Sequence, residues 1–213
     1  MKKVSWKIEN KLVPYEQSLA YMENMVEEVI AGKKQGLVWV LEHESVYTAG
    51  SSAKDSSLLD DKKFPVYKVG RGGDYTYHGP GQIVVYLVIN LKKIFAPEEP
   101  DLKKYIYKLE EIIIRTLAKF DIRAKRKEGM VGVWVNINGK DKKIAAVGVR
   151  VRKWVAYHGI SINFNTDLVN FSGIIPCGIR GYGVTSIDEC KKNVDKDEFV
   201  LNLKDNISKV LEV

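Results

Sequence analysis

Cysteine is scarce in this chain. Only Cys177 and Cys190 occur among 213 residues. Two thiols cannot build a disulfide framework, which points to a reducing compartment. Histidine is scarce as well: His43, His78 and His158 are the full set. No pair of them has metal-ligand spacing, and no Cys-x-x-Cys occurs, so no zinc site and no other metal centre is expected. Long apolar runs are missing too. The longest, Ile83 to Leu91, is interrupted by Asn90 and is about half the length that crosses a bilayer. Behind Lys2 and Lys3 no apolar stretch follows, so no signal peptide is expected. These absences together point to a soluble, cytoplasmic protein with no membrane partner.

Basic residues outnumber acidic ones, 34 to 27, for a formal charge of +7. Such an excess can draw in an acidic partner, or it can be a lysine-rich solvated surface. The basic residues come as short groups, such as Lys103-Lys104 and the cluster Arg123, Lys125, Arg126, Lys127. No zinc-finger, basic-zipper or aromatic RNA-binding signature is present, so nucleic acid is not expected as a partner. No repeat or long linker divides the chain. Its 45% hydrophobic content supplies enough apolar side chain for one sizeable core, and residues 1–213 are read as a single domain.

Apolar periodicity sets the expected elements. Val4 to Glu9 reads as a strand. Pro14 to about Lys34 reads as a helix, with Leu19, Met22, Val26, Val29 and Ile30 on one face and Gly36 as the stop. Leu37 to Leu41, Val66 to Val69 and Gln82 to Leu91 read as strands, and Asp55 to Lys63 as a polar loop. Asp101 can cap a helix running to about Phe120, whose stripe is Leu102, Tyr105, Ile106, Leu109, Ile112, Ile113 and Leu117. Val131 to Asn136 and Ile144 to Val151 form a hairpin around Asn138-Gly139. Val155 to Phe164 continues the sheet, and Asp195 to Leu211 is a charged helix. Several strands follow one another without a helix between them. The fold class is therefore α/β (α+β), with a mixed, largely antiparallel sheet and flanking helices.

Three segments carry chemistry. In Pro176-Cys177-Gly178 proline fixes φ before the thiol and glycine allows close approach after it. That frame suits a presented nucleophile or a small core cysteine; Pro176-Cys177-Gly178 alone does not decide between them. From Gly70 to Gly81 there are five glycines in twelve positions, so the backbone there can hold an anion or a carbonyl oxygen. It is neither a Walker loop nor a dinucleotide fingerprint. Arg71 and His78 favour a ligand site over a plain turn pair. In Lys142-Lys143-Ile144-Ala145-Ala146-Val147-Gly148 the lysines stand at a strand entrance. They are a solvated hairpin end, or a charge that favours a thiolate. His158, before Gly159, is a structural histidine or an accessory of the site.

The string Arg71-Gly72-Gly73-Asp74-Tyr75-Thr76-Tyr77-His78-Gly79-Pro80-Gly81-Gln82 closely resembles the signature of the lipoyl(octanoyl) transferases. Leu41 to Gly50, Gly132-Val133-Trp134-Val135, Lys143 to Gly148, and His158-Gly159-Ile160 through Pro176-Cys177-Gly178 fit the same family in order. The resemblance spans residues 37–187. Glu44-Ser45 departs from it, because the family carries prolines after that histidine; this touches loop rigidity more than chemistry.

The resemblance implies the fold of the biotin and lipoate protein ligases. It also implies transfer of an octanoyl group from octanoyl-acyl carrier protein to a lysine of a lipoyl domain, with no cofactor. The acceptors would be lipoyl domains of 2-oxoacid dehydrogenase E2 subunits or the glycine cleavage H protein. It makes Cys177 the thioester nucleophile and Lys143 its partner. Arg71 to His78, Ala146, Val147, Gly148, Gly159, Ile160 and Ser161 would line the acyl pocket. Two other readings remain. An ATP-dependent lipoate ligase of the same fold would activate a free acid as an adenylate and need no nucleophilic cysteine. A non-catalytic acyl-binding module would form no covalent adduct.

Overall fold

The computed structural model describes residues 4–178 and 181–213, without the side chain of Cys177. The elements run β1 (Ser5–Val13), α1 (Tyr15–Ile30), β2 (Gly36–His43), β3 (Val46–Ala49), β4 (Val66–Lys68), β5 (Tyr75–His78) and β6 (Gln82–Asn90). Then come α2 (Leu91–Phe95), α3 (Leu102–Ala118), β7 (Ala124–Lys127), β8 (Met130–Ile137), β9 (Lys140–Arg152) and β10 (Val155–Asn163). The chain closes with β11 (Gly183–Val184), α4 (Ile187–Cys190) and α5 (Lys196–Leu211).

The main sheet has the order β1-β2-β6-β10-β9-β8-β7. Only the β1–β2 pair along this path is parallel. Strand β6 explains how the sheet is buried on both sides. Ile83, Val85, Leu87 and Ile89 join the cluster under α3 and α5, while Val84, Tyr86 and Val88 join the cluster under α1. A continuous apolar run is what a strand covered on both faces requires.

The α3 helix starts as its cap residue dictates. Asp101 Oδ1 accepts the N–H groups of Lys103 and Lys104 at 2.7 and 3.0 Å. Its buried stripe begins at Tyr105, while Leu102 is 39% exposed. Helical side chains lean toward the N-terminus, so that of the first residue projects off the helix end.

A second sheet, β4-β3-β5, lies beside the main one. The sequence presents Arg71 to Gln82 as a glycine-rich loop; the structure puts a four-residue strand, Tyr75–His78, inside it. The long β9 changes partners along its length. Ala145 to Arg152 pair with β10, and Lys142 and Lys143 pair with β11. The loop around Asp55 to Asp60 clamps the chain ahead of Cys177: Leu59 and Asp60 N–H groups donate to Gly173 O, and Ile175 N–H donates to Ser57 O at 2.8 Å.

Candidate active site

A cavity of about 250 Å³ opens where β5, β6, β9 and β10 meet the Arg71–Asp74 loop. Pockets for drug-sized ligands span about 300–1,000 Å³, so this one suits a smaller group. Of the residues singled out in the sequence, Arg71, Gly72, Gly73, Asp74, Thr76 and His78 line it from one side. Ala146, Val147 and Gly148 of β9, and His158, Gly159, Ile160 and Ser161 of β10, line it from another. Sheet register makes this compact: Gly148 faces Gly159, Val147 faces Ile160 and Ala146 faces Ser161.

Tyr75 and Tyr77 are not brought to the cavity. Alternation along β5 turns Thr76 and His78 to the cavity and sends the two tyrosines to the opposite face. There they pack with Tyr47, Ala49, Phe171 and Ile174. They hold the small sheet together and do not line the cavity.

The glycines at the wall are matters of clearance. A Cβ on Gly159 would stand 2.2 Å from Val85 O, and one on Gly148 would stand 3.2 Å from both Arg71 Cδ and Gly72 O. Arg71 is 7% exposed. Its Nε and Nη2 donate to Thr48 Oγ1 at 3.2 and 2.7 Å, Nη2 also to Thr48 O at 2.6 Å, and Nη1 to Gly72 O at 3.0 Å. These bonds tie the glycine loop to β3.

The imidazoles around the cavity are held neutral. His43 Nδ1–H donates to Val13 O at 2.7 Å, so Nε2 accepts the Tyr86 hydroxyl at 2.7 Å. Burial lowers the His43 pKa to about 4. Burial also pushes His78 well below the usual imidazole range, and His43, Arg71 and His158 add to this. His78 Nδ1 bonds Gln82 Oε1 at 2.7 Å, and Gln82 Nε2 donates to Asn163 Oδ1 at 2.9 Å. Asn163 Nδ2 then donates to Thr185 O at 2.9 Å. This chain of amides fixes the ring of His78 and ties β10 to the segment after β11. His158 is lowered to about 3, first by burial and then by Arg71 and Arg150. Its φ of +60° is unusual for a non-glycine residue within a strand, and its N–H donates to Met22 Sδ at 3.3 Å.

Tyr15, Val84, Tyr86, Met130 and Val131 also line the cavity, and sequence reasoning missed them. Val84 and Tyr86 sit in an apolar run that reads as core. Tyr15 lies on a different element; its ring lies 5.2 Å from that of His43 and 6.2 Å from that of His78. Burial pushes the Tyr15 hydroxyl up to about 12.

Lys143 is 6% exposed at one side of the cavity. Its Nζ donates to Val131 O at 3.0 Å and lies 4.9 Å from the centroid of the Trp134 ring. Lys142, by contrast, runs alongside Gly183. Pro176 and Lys143 border the same small space, with Thr76 and Ser161. The backbone of Cys177 lies in the single 3₁₀ turn Pro176–Gly178; its side chain is outside the described residues. Asp74 stands against that turn. Its carboxylate accepts Tyr75 N–H at 2.7 Å, Lys54 N–H at 3.2 Å and Ser57 Oγ–H at 2.8 Å. A Cβ on Gly178, whose φ is +66°, would stand 2.5 Å from Asp74 Oδ2. Cys190 lies elsewhere, half-buried beside Thr185 with its thiol pKa raised by burial. Among the described residues no three His, Cys, Asp or Glu side chains gather to hold a metal ion.

Known proteins match this arrangement at two levels. The model of the lipoyl protein ligase A/B catalytic domain matches residues 14–208. The octanoyltransferase of Ehrlichia ruminantium (strain Gardel) is 48% identical over 207 residues, covering 97% of this chain and 98% of that protein. The octanoyltransferase of Neorickettsia sennetsu is 51% identical over 187 residues, covering 87% and 88%. The fold alone is shared more widely. A bi-partite lipoate protein ligase from Thermoplasma acidophilum superposes with a TM-score of 0.71 at 16% identity, covering 99% of this chain and 85% of that one. The biotin protein ligase of Aquifex aeolicus gives 0.56 at 19% identity, covering 100% and 71%. This chain belongs to the lipoyl protein ligase A/B catalytic domain family, among its octanoyltransferases.

Proposed function

We propose that the chain, as one catalytic domain, transfers an octanoyl group from octanoyl-acyl carrier protein to a lysine of a lipoyl domain, through a thioester on Cys177. This would be the first step of lipoate cofactor assembly. The observation that carries the reading is the shared space bordered by Lys143 and Pro176, opening beside a small cavity walled by glycines. Family membership at 48% identity supports it.

The chemistry needs little beyond positioning. The Cys177 thiolate attacks the thioester carbonyl of the donor. The carrier's thiolate leaves and takes up a proton, and a new thioester of similar energy remains. No nucleotide is consumed. The acceptor's lysine then attacks as a neutral amine. An amide forms, the amine's proton is released, and the Cys177 thiolate returns. Lys143 favours the thiolate and relays the proton. The neutral imidazoles of His78 and His158 add no cationic charge to the cavity beyond that of Arg71 and Lys143 at its edges, which suits an alkyl chain.

E2 lipoyl domains or the glycine cleavage H protein are the acceptors of this reading, and the cytoplasm is its compartment. No helix among the described residues is long and apolar enough to cross a membrane. The same fold also carries a lipoate-protein ligase A that was solved with ATP bound, so the test is nucleotide dependence. Purified chain, octanoyl carrier protein and an apo lipoyl domain should give octanoylated domain with no ATP present. A strict ATP requirement, with free octanoate as donor, would replace this reading with the ligase.

A further inference from the structure

Lys143 is held by backbone, and that backbone is itself held from behind. The Val131 carbonyl that accepts Lys143 Nζ and the Gly132 N–H belong to one peptide unit. That N–H donates to Glu110 Oε1 at 2.8 Å. Glu110 is on α3, 7% exposed and outside the cavity lining. A carboxylate buried in a helix stripe needs strong partners. The Gly132 N–H is one. Arg126 is an ion-pair partner: its Nε stands 3.3 Å from Glu110 Oε2, without hydrogen-bond geometry. An amide whose N–H is bound by an anion presents a more negative oxygen on its other side.

Local backbone geometry points the same way. Gly132 has φ +119°, and a Cβ there would stand 2.8 Å from Ala145 O and 3.4 Å from Lys143 Nζ. The β8–β9 register shifts between Val133 and Trp134, an irregularity of the kind that re-aims side chains. The ladder is irregular next to the lysine, and one acid from a neighbouring helix holds the Val131–Gly132 peptide.

We propose that Glu110 is a positioning residue for Lys143: through the Val131–Gly132 peptide it sets the carbonyl that holds Nζ beside the Pro176–Gly178 turn. The proposal rests on the reading of Lys143 as the partner of Cys177. Glu110 touches neither acyl group nor thiol; its effect reaches the reaction only through Lys143.

The test is a kinetic double-mutant cycle on the full chain, with octanoyl carrier protein as donor. Glu110→Ala removes the acceptor and should lower kcat about 10–100-fold, less than the about 100- to 10,000-fold of losing a general acid–base group outright, with KM for the donor within about 2-fold. Glu110→Asp keeps charge and fold but falls short by one methylene, and should lose kcat like Glu110→Ala. Glu110→Gln keeps an acceptor for Gly132 N–H and should restore most of the loss. In a Lys143→Ala background, Glu110→Asp should change kcat by no more than about 2-fold, because coupled residues do not add. A wild-type-like Glu110→Asp, or a loss that adds fully to that of Lys143→Ala, would overturn this inference alone. A wild-type-like Lys143→Ala would overturn the reading of the site, and this inference with it.

Discussion

Gly148 of β9 stands directly opposite Gly159 of β10 in the sheet, and both border the cavity. The absent side chain at Gly148 leaves room against Arg71 and Gly72, beside the groove in which the acyl chain is proposed to lie, while that at Gly159 lets β10 lie close to Val85 of β6. A leucine at Gly148 would project from a Cβ already 3.2 Å from Gly72 O. Gly148→Leu should therefore block octanoyl transfer while a butyryl donor still acylates Cys177. Four methylenes at about 0.8 kcal/mol each are worth about 3 kcal/mol, so the octanoyl-over-butyryl preference should fall by about 100-fold. Acyl-enzyme formation followed by mass with the two donors reads this. Equal loss of both donors, or of neither, would place Gly148 away from the chain.

The two adjacent lysines should separate cleanly. Lys143 is 6% exposed and bonded to Val131 O, while Lys142 runs beside Gly183. Lys143→Ala should lose about 100- to 10,000-fold in turnover, the range of a general acid–base group, and Lys142→Ala should keep most of it. Alkylation of Cys177 against pH gives an independent measure. Its midpoint should move to higher pH in Lys143→Ala, because a nearby positive charge favours the thiolate. An unmoved profile would remove Lys143 from the thiol's surroundings.

The Pro176–Gly178 turn should depend on its last residue. Gly178 sits at φ +66° against Asp74 Oδ2. Left-handed backbone costs a side chain about 1–2 kcal/mol, and the carboxylate contact adds to that. Gly178→Ala should slow Cys177 acylation at least tenfold, by about the 1.4 kcal/mol that such a factor represents. A melting temperature lowered by no more than the few degrees that such a cost implies would show that the loss is local. A fully active variant would mean that Asp74 does not set the turn.

Acid should weaken the fold through His43. Its folded pKa of about 4 lies below the usual 6.5. The folded state thus binds fewer protons than the unfolded chain between those values. The stabilisation is complete above pH 6.5 and is lost as pH falls toward 4, about 3 kcal/mol in all for this buried ring. Denaturant unfolding at pH 7 and pH 4.5 should show that loss. The imidazole NMR signals of His43 should stay unshifted from pH 8 to about 5.5; a midpoint near 6.5 would contradict the buried, neutral assignment.

What the sequence made legible follows from element length. The nine residues of β6 and the seventeen of α3 are long enough for their period to declare itself, and the Asp101 cap marks where α3 begins. Strand β4 is read from the sequence as Val66 to Val69, but β3 and β5 have four residues each, too few to show alternation, so the sheet they build with β4 stayed hidden. The same brevity made Tyr75 and Tyr77 read as part of a continuous ligand string. The resemblance pointed to Arg71 to His78, Lys143 and Gly148 because their residue types are unusual in order. Tyr86 carried no such mark, since an aromatic residue in an apolar strand looks like core. Glu110 falls outside the Leu102-to-Leu117 stripe that the sequence shows, and only its bond from Gly132 N–H reveals what it holds.

Covalent capture tests the central claim most directly. The purified chain mixed with octanoyl carrier protein, without acceptor, should gain the mass of one octanoyl group. Peptide mapping should place it on Cys177 as a hydroxylamine-labile thioester. Cys177→Ala should gain none and show no turnover, and Cys190→Ala should behave as wild type. Wild-type-like transfer by Cys177→Ala, or an adduct on Cys190, would contradict the covalent mechanism.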